Sequence, residues 1–328
     1  MMDKLIAAFP QNIIDSLEIA SKVQLQKPIN PIHNIVICGM GGSGIGGKLV
    51  SQWLQDELTV PVTLVQDYTL PAFVNENTLV IGSSYSGETE ETLYSVEKAK
   101  ALGSHIIGIC SGGKLATFCQ ENKYDVILVP GGNPPRTTLA FSLGQLINIF
   151  VQFGLVSSKN LEDFKISFDL LNKNQTAIQE EAKKLATFLK DRFILIYSSS
   201  NYEAVAIRAR QQFNENGKIL CTHHTIPEMN HNELVGWGLG DNRYGALFLD
   251  SEDWHERNKQ RLEFSQKVIG TKTEHIFTLK AKGNSIIERS LYLINVVDWA
   301  SFYLSELNNV DATEIDVINT LKGQLAKS

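Results

Sequence analysis

The stretch IVICGMGGSGIGGKL, Ile35 to Leu49, dictates a strand that breaks into glycine and restarts as a helix. Ile35, Val36 and Ile37 form a short continuous apolar run suited to a central parallel strand, while Ile45, Leu49 and Trp53 recur at helical spacing. Between them Gly39, Gly41, Gly42 and Gly44 remove the side chains that would keep a ligand away from the backbone. The first turn of the following helix offers unpaired amides at the positive end of its dipole, so an anion is the natural guest. A tight turn without a ligand is the plainer alternative. The same letters satisfy GxGxxG through Gly39, Gly41 and Gly44, with Asp67 as the acid that would take a ribose hydroxyl, although it stands later than the usual spacing.

Strand and helix signals alternate around this junction. Strands are expected at Asn34 to Cys38, Val62 to Val65, Thr78 to Gly82, His105 to Cys110 and Asp125 to Val129, separated by helical segments such as Glu91 to Ala101. An amphipathic helix with Ile13, Leu17 and Ala20 on one face precedes them, joined by the proline-marked link Lys27 to Pro31. A helix from Phe141 to Phe153 stops at Gly154, and the polar segment VSSKNLED follows, which sets expected domains of 1–154 and 155–328. Leu161 to Leu189 reads as a helix pair or one broken helix. Alternation then resumes: the strand in RFILIYSSSN, a helix through Ala204, Ala209 and Phe213, strands at Lys218 to Thr222, Tyr244 to Leu249 and His275 to Leu279, and helices to the end of the chain. The expected fold class is α/β with two doubly wound domains, each a parallel sheet flanked by helices. Val36 to Ser43 and Ile194 to Ser199 are alike enough to raise an internal duplication.

Composition narrows the function class. The 328 residues are 43% hydrophobic and 20% charged, ample for two cores, and the formal net charge of −6 argues against a nucleic-acid or acidic-membrane partner. Cys38, Cys110, Cys119 and Cys221 stand singly, without CxxC spacing, and read as buried thiols in a reducing compartment. The first residues carry acids and an interrupted apolar pattern unlike a signal sequence, and no run reaches membrane-spanning length, so a cytoplasmic protein is expected.

A second anchor stands at the end of the third strand. In SSYSGETEET, Ser84, Ser86 and Thr89 surround Gly87 at another helix start, where three hydroxyls and several amides can ring one phosphate group. Helix capping is the alternative reading, with Glu90 and Glu91 suiting the positive first turn; yet one cap needs one hydroxyl.

SxSGxT after a strand, preceded by a GxGGSG turn, resembles the SIS (sugar isomerase) phosphosugar-binding domain. With PPRT (Pro134 to Thr137), NENGK (Asn214 to Lys218) and PEMNHNE (Pro227 to Glu233), nearly the whole chain resembles the bifunctional phosphoglucose/phosphomannose isomerase family, with two SIS-like domains. The resemblance implies an aldose-ketose isomerase of 6-phosphosugars working without metal or other cofactor. It makes Gly41, Gly42, Ser43, Ser84, Ser86 and Thr89 the sugar and phosphate contacts and Glu215 the base. At the end of a helix, Glu215 also sits where the dipole disfavours a carboxylate and makes it more basic. Arg136, in the stiff PPRT loop, is the expected balance for enediolate charge, with a surface arginine as the alternative. His231 resembles the family's ring-opening histidine, which the neighbouring subunit contributes, so a homodimer is implied. Lys322 corresponds to the family's C-terminal lysine; its spacing from Ile315, Ile318 and Leu325 sets it on an apolar stripe, with a snorkelling surface lysine as the alternative. Thr313 is a weak candidate for the residue controlling the C2 epimer. His223 and His224 point to opposite faces of a strand and form no metal motif, so no metal is expected. A non-catalytic phosphosugar-binding regulator would keep the serine loop without needing Glu215, His231 and Lys322. A dinucleotide oxidoreductase would leave Ser84, Ser86 and Thr89 unexplained.

Overall fold

The computed structural model describes residues 1–325. The chain forms two compact units, one of residues 8–172 with 285–288, the other of residues 1–7, 173–284 and those from Arg289 onward. After the short α1 (Met2–Ala7), α2 (Phe9–Lys22) buries Ile13 and Ala20, and Leu17 is half-buried on the same face.

The first sheet contains β1 (Asn34–Cys38), β2 (Val62–Val65), β3 (Thr78–Ser83), β4 (His105–Cys110) and β5 (Asp125–Leu128), all parallel, in the order β2-β1-β3-β4-β5. Between and after them run α3 (Gly41–Trp53), α4 (Glu90–Ala101), α5 (Gly113–Glu121), α6 (Leu139–Gln152) and α7 (Lys159–Lys173). All six residues of β3 are buried, which is why it reads as an unbroken apolar run and not as an alternation. Its Leu79 and Ile81 lie beside Ile35 and Ile37 of β1, and each such buried side chain contributes about 2 kcal/mol. Val36, Cys38, Val80, Val96, Cys110 and Leu115 belong to one continuous buried cluster. The strand order reverses between β1 and β3, and in open α/β sheets the crevice at the carboxyl ends of such strands receives ligands.

The second unit repeats this order one strand short. It contains α8 (Gln175–Leu189), β6 (Phe193–Ser199), α9 (Glu203–Glu215), β7 (Cys221–Ile226), α10 (Glu233–Gly236), β8 (Tyr244–Asp250), α11 (Glu256–Ile269), β9 (Ile276–Lys280), α12 (Ile286–Leu307) from Arg289 onward, and α13 (Asp316–Leu325). Its strands are parallel in the order β7-β6-β8-β9, so β6 occupies the place of β1 and β8 that of β3. The topological repeat agrees with the similarity between the two strand-turn segments. The polar stretch after Leu161 is two helices, broken at Asn174. The strand expected at Lys218 to Thr222 starts later, because Lys218 adopts a left-handed φ of 56° and cannot continue an extended run. Among the described residues, no helix is long and apolar enough to cross a membrane.

Candidate active site

Three loops converge at the carboxyl edge of the first sheet. The first leaves β1 at Gly39 and enters α3 at Gly41, whose φ of +50° suits glycine. The backbone comes so close on itself that a Cβ on Gly44 would lie 2.4 Å from the Gly39 carbonyl oxygen. A Cβ on Gly42 would lie 3.2 Å from the carbonyl oxygen of Pro135, so this glycine lets the PPRT loop approach.

The second loop, Ser84 to Thr89, is pinned from within. Ser84 is fully buried, and its Oγ accepts from the Gly87 and Thr89 amides at 3.1 and 3.4 Å while sharing a 2.7 Å bond with Thr89 Oγ1. Thr89 makes no side-chain cap to α4, and Ser86 Oγ accepts from the Glu88 amide at 3.2 Å. The hydroxyls therefore shape the loop more than they cap the helix. Ser43 Oγ accepts the Tyr85 amide at 3.1 Å, tying the glycine turn to the serine loop.

Two parts of this construction carry no short-range motif. Tyr85 donates its hydroxyl to the Pro130 carbonyl at 2.9 Å and accepts the Asn133 amide at 3.2 Å. Its own carbonyl accepts from the amide and the hydroxyl of Ser111. Tyr85 thus fastens the serine loop to the segment leading into Arg136. The Ser111 to Gly113 turn after β4 packs against Gly87, whose amide donates to the Ser84 carbonyl and whose carbonyl accepts from Leu115. The only sequence signal for this support was the SGG string at a strand end.

Arg136 lies in a 3-10 turn, Pro135–Thr137, and is only 3% exposed, so it is not the surface arginine of the alternative reading. Tyr85→Phe removes two hydrogen bonds from the loop that carries it. The expected cost is about 1 kcal/mol of stability in urea unfolding. With Arg136 in its expected role, a less firmly placed guanidinium should also cost several-fold in turnover, measured by steady-state kinetics.

In the second unit Glu215 is the last residue of α9. The NENGK turn that carries it is bonded at nearly every residue. Asn214 Nδ2 donates to the Ile219 carbonyl at 2.7 Å, and Asn216 Nδ2 donates to Ser301 Oγ at 2.9 Å. The Gly217 carbonyl accepts from Asn308 Nδ2 at 2.8 Å, and a Cβ on Gly217 would meet Leu304 at 2.5 Å. One helical turn and more back, buried Arg208 grips Asp298 of α12 with its Nε and Nη2 at 2.9 to 3.2 Å. Burial raises the Asp298 pKa, and the guanidinium opposes that rise. α9 is thereby fastened to α12 at Arg208 and again just past its C-terminal end.

His231 ends a 3-10 turn, Glu228–His231, and is exposed. Two residues on, Glu233 accepts from the Tyr197 hydroxyl at 2.6 Å and pairs with His224 Nδ1 at 2.9 Å, which anchors the loop to the sheet. Burial first, and then the charge of Glu233, keep the Tyr197 phenol protonated. Lys322 lies in the last turn of α13. None of the residues of α13 is buried, so the stripe bearing Lys322 faces away from the interior of its unit.

The loop after β8 takes the place that the serine loop has after β3, yet it carries Ser251, Glu252 and Asp253. Asp253 accepts from the Tyr202 hydroxyl at 2.9 and 3.0 Å, and Arg289 pairs with Glu252 and Asp253. Carboxylates there disfavour phosphate, in contrast with the hydroxyls of the Ser84 to Thr89 loop. Asp67 is exposed and accepts the neighbouring Tyr68 amide. The four cysteines are free, and burial pushes the Cys38, Cys119 and Cys221 thiols up to about 12. They are poor nucleophiles. Among the described residues no three His, Cys, Asp or Glu side chains gather as metal ligands.

Two family models match the chain: an SIS domain over residues 29–132, and a bacterial phospho-glucose isomerase C-terminal SIS domain over residues 178–325. A bifunctional phosphoglucose/phosphomannose isomerase of Caldicellulosiruptor bescii is 36% identical over 97% of both chains. The chain belongs to the bifunctional phosphoglucose/phosphomannose isomerase family. Another member, from Aquifex aeolicus, is 36% identical over 92% of this chain and 93% of its own. The family fold extends beyond close relatives: the C-terminal domain of glucosamine-fructose-6-phosphate aminotransferase from Francisella tularensis superposes with a TM-score of 0.76 at 16% identity, covering 96% of this chain and 97% of that one. Family membership agrees with the resemblance read from the SxSGxT, PPRT, NENGK and PEMNHNE strings, and with the α/β fold of two parallel sheets.

Proposed function

We propose that this protein is a metal-independent isomerase that interconverts glucose 6-phosphate and mannose 6-phosphate with fructose 6-phosphate. Full-length relationship to proteins named for both activities carries the reading. Support comes from the two constructions described above, a hydroxyl-pinned loop suited to phosphate and a rigid turn presenting Glu215.

In this mechanism the amides and hydroxyls of Gly41, Gly42, Ser43, Ser84, Ser86 and Thr89 hold the sugar phosphate. His231 and Lys322 serve the ring oxygen and hydroxyl protons during opening. Glu215 takes the proton from C2 of the open aldose, the electron pair moves to the carbonyl oxygen at C1, and the enediolate charge is balanced by Arg136. The C2 hydroxyl proton passes to the C1 oxygen, Glu215 returns its proton to C1, and the C2 oxygen becomes the ketone. Glucose and mannose phosphates differ only at C2, so loss of that proton leads both to a common enediolate. Rotation about C2 to C3 would present either face.

His231 is exposed, with exposed Val235 and Leu239 a few residues on, a combination that supports a homodimer in which a second copy uses this histidine. Four free thiols, three of them buried, support a reducing, cytoplasmic setting. The test is turnover of mannose 6-phosphate and, separately, of fructose 6-phosphate, each with and without chelator. Conversion of both, insensitive to chelator, is expected. No turnover of either sugar would overturn the isomerase, and activity lost to the chelator would overturn its metal independence.

A further inference from the structure

We propose that Lys218 is a positioning residue that fixes the base-bearing end of α9 to the linker entering α13; the proposal rests on the assignment of Glu215 as base. Gly217 would be the usual place for a left-handed residue after the helix, but it is Lys218 that adopts φ 56°. Glycine takes that conformation without strain and lysine does not, so the side chain is retained at a conformational cost.

What the side chain does is visible in its contacts. Lys218 Nζ donates to the Glu215 carbonyl at 2.5 Å and to the Glu314 carbonyl at 2.7 Å, and lies 3.7 Å from Glu314 Oε2. The ammonium thus meets the Glu215 carbonyl at the negative end of the helix dipole. With a second of its three hydrogens it holds the linker. That linker is itself shaped, because Asp311 accepts from both the amide and the hydroxyl of Thr313 at 2.7 Å. Asn308, near the start of the same linker, holds the Gly217 carbonyl. One lysine therefore sets the separation between Glu215 and the segment of Thr313 and Glu314, from which α13 and Lys322 follow.

A base acts only when its oxygen is held over the reacting carbons, and small displacements there cost large factors in rate. Lys218→Gly removes the ammonium while relieving the left-handed strain, so stability should change little. The expected result is a kcat for fructose 6-phosphate reduced about 10- to 100-fold with KM changed less than about threefold. The ratio of mannose 6-phosphate to glucose 6-phosphate turnover should shift by at least about threefold, because the Thr313 segment is released together with the base. Lys218→Arg, which keeps charge and donors, should recover most of the lost kcat. Wild-type kcat and epimer ratio in Lys218→Gly, or a loss accompanied by a matching fall in Tm and no change of ratio, would overturn the proposal. If the wild-type protein turns over none of the three sugars, the reading beneath it fails instead.

Discussion

Glu215→Gln should lower kcat for fructose 6-phosphate by about 10²- to 10⁴-fold while leaving its binding nearly unchanged. The amide keeps the size and shape of the side chain, so the NENGK turn has no reason to move. Its support comes from Asn214, Asn216, Lys218 and Asn308, none of which is altered. The proposed phosphate contacts Ser84, Ser86 and Thr89 are likewise unaltered, so affinity for the sugar phosphate should persist. What is lost is the capacity to accept and return the proton. Steady-state kinetics gives the loss in kcat, calorimetric titration of fructose 6-phosphate shows retained affinity, and exchange of the substrate proton with deuterated solvent should stop. Near-normal turnover in this variant would mean that another group is the base.

Most of the fold was legible because central parallel strands leave an unmistakable pattern. β1, β3 and β4 are buried on both faces and read as continuous apolar runs, and the glycines and hydroxyls at their ends occur where the strand order reverses. Glu215 could be placed at a helix end from the glycine two residues later. The supports were harder to see, since they join residues far apart in sequence. Tyr85 reaches Pro130 and Asn133 across more than forty residues, and Gly87 depends on a turn after the next strand. Side-chain periodicity cannot report such contacts. Lys218 was read as the start of a strand because lysine followed by Ile219 and Leu220 has an extended look, whereas its backbone is left-handed and its side chain turns back to the helix. The apolar spacing around Lys322 is real, but an amphipathic stripe does not by itself say that its face is buried, and no residue of α13 is.

Gly87→Ala is the substitution expected to damage phosphate binding most for its size. Gly87 has φ +70°, where an L-residue pays roughly 1–2 kcal/mol. A Cβ there would also lie 1.9 Å from the Gly112 carbonyl oxygen and 2.8 Å from its carbon, so backbone must shift to admit a methyl group. The movement cannot stay local. Gly87 shares Ser84 Oγ with Thr89, and its carbonyl holds Leu115, so displacing it opens the ring of hydroxyls and amides that would grip phosphate. Loss of even one such contact in the bound state is worth about 1.4 kcal/mol, so KM for each phosphosugar should rise by about tenfold or more. Gly41→Ala provides the comparison. There φ is +50° but the added Cβ meets nothing within 4 Å, leaving only the backbone cost. If both alanine variants raise KM alike, the effect is backbone strain at the sheet edge. A much larger rise in Gly87→Ala, with β3 and its neighbours still folded by circular dichroism, would assign the phosphate grip to the serine loop and its contact with Gly112. Unchanged KM in Gly87→Ala would remove that loop from phosphate binding.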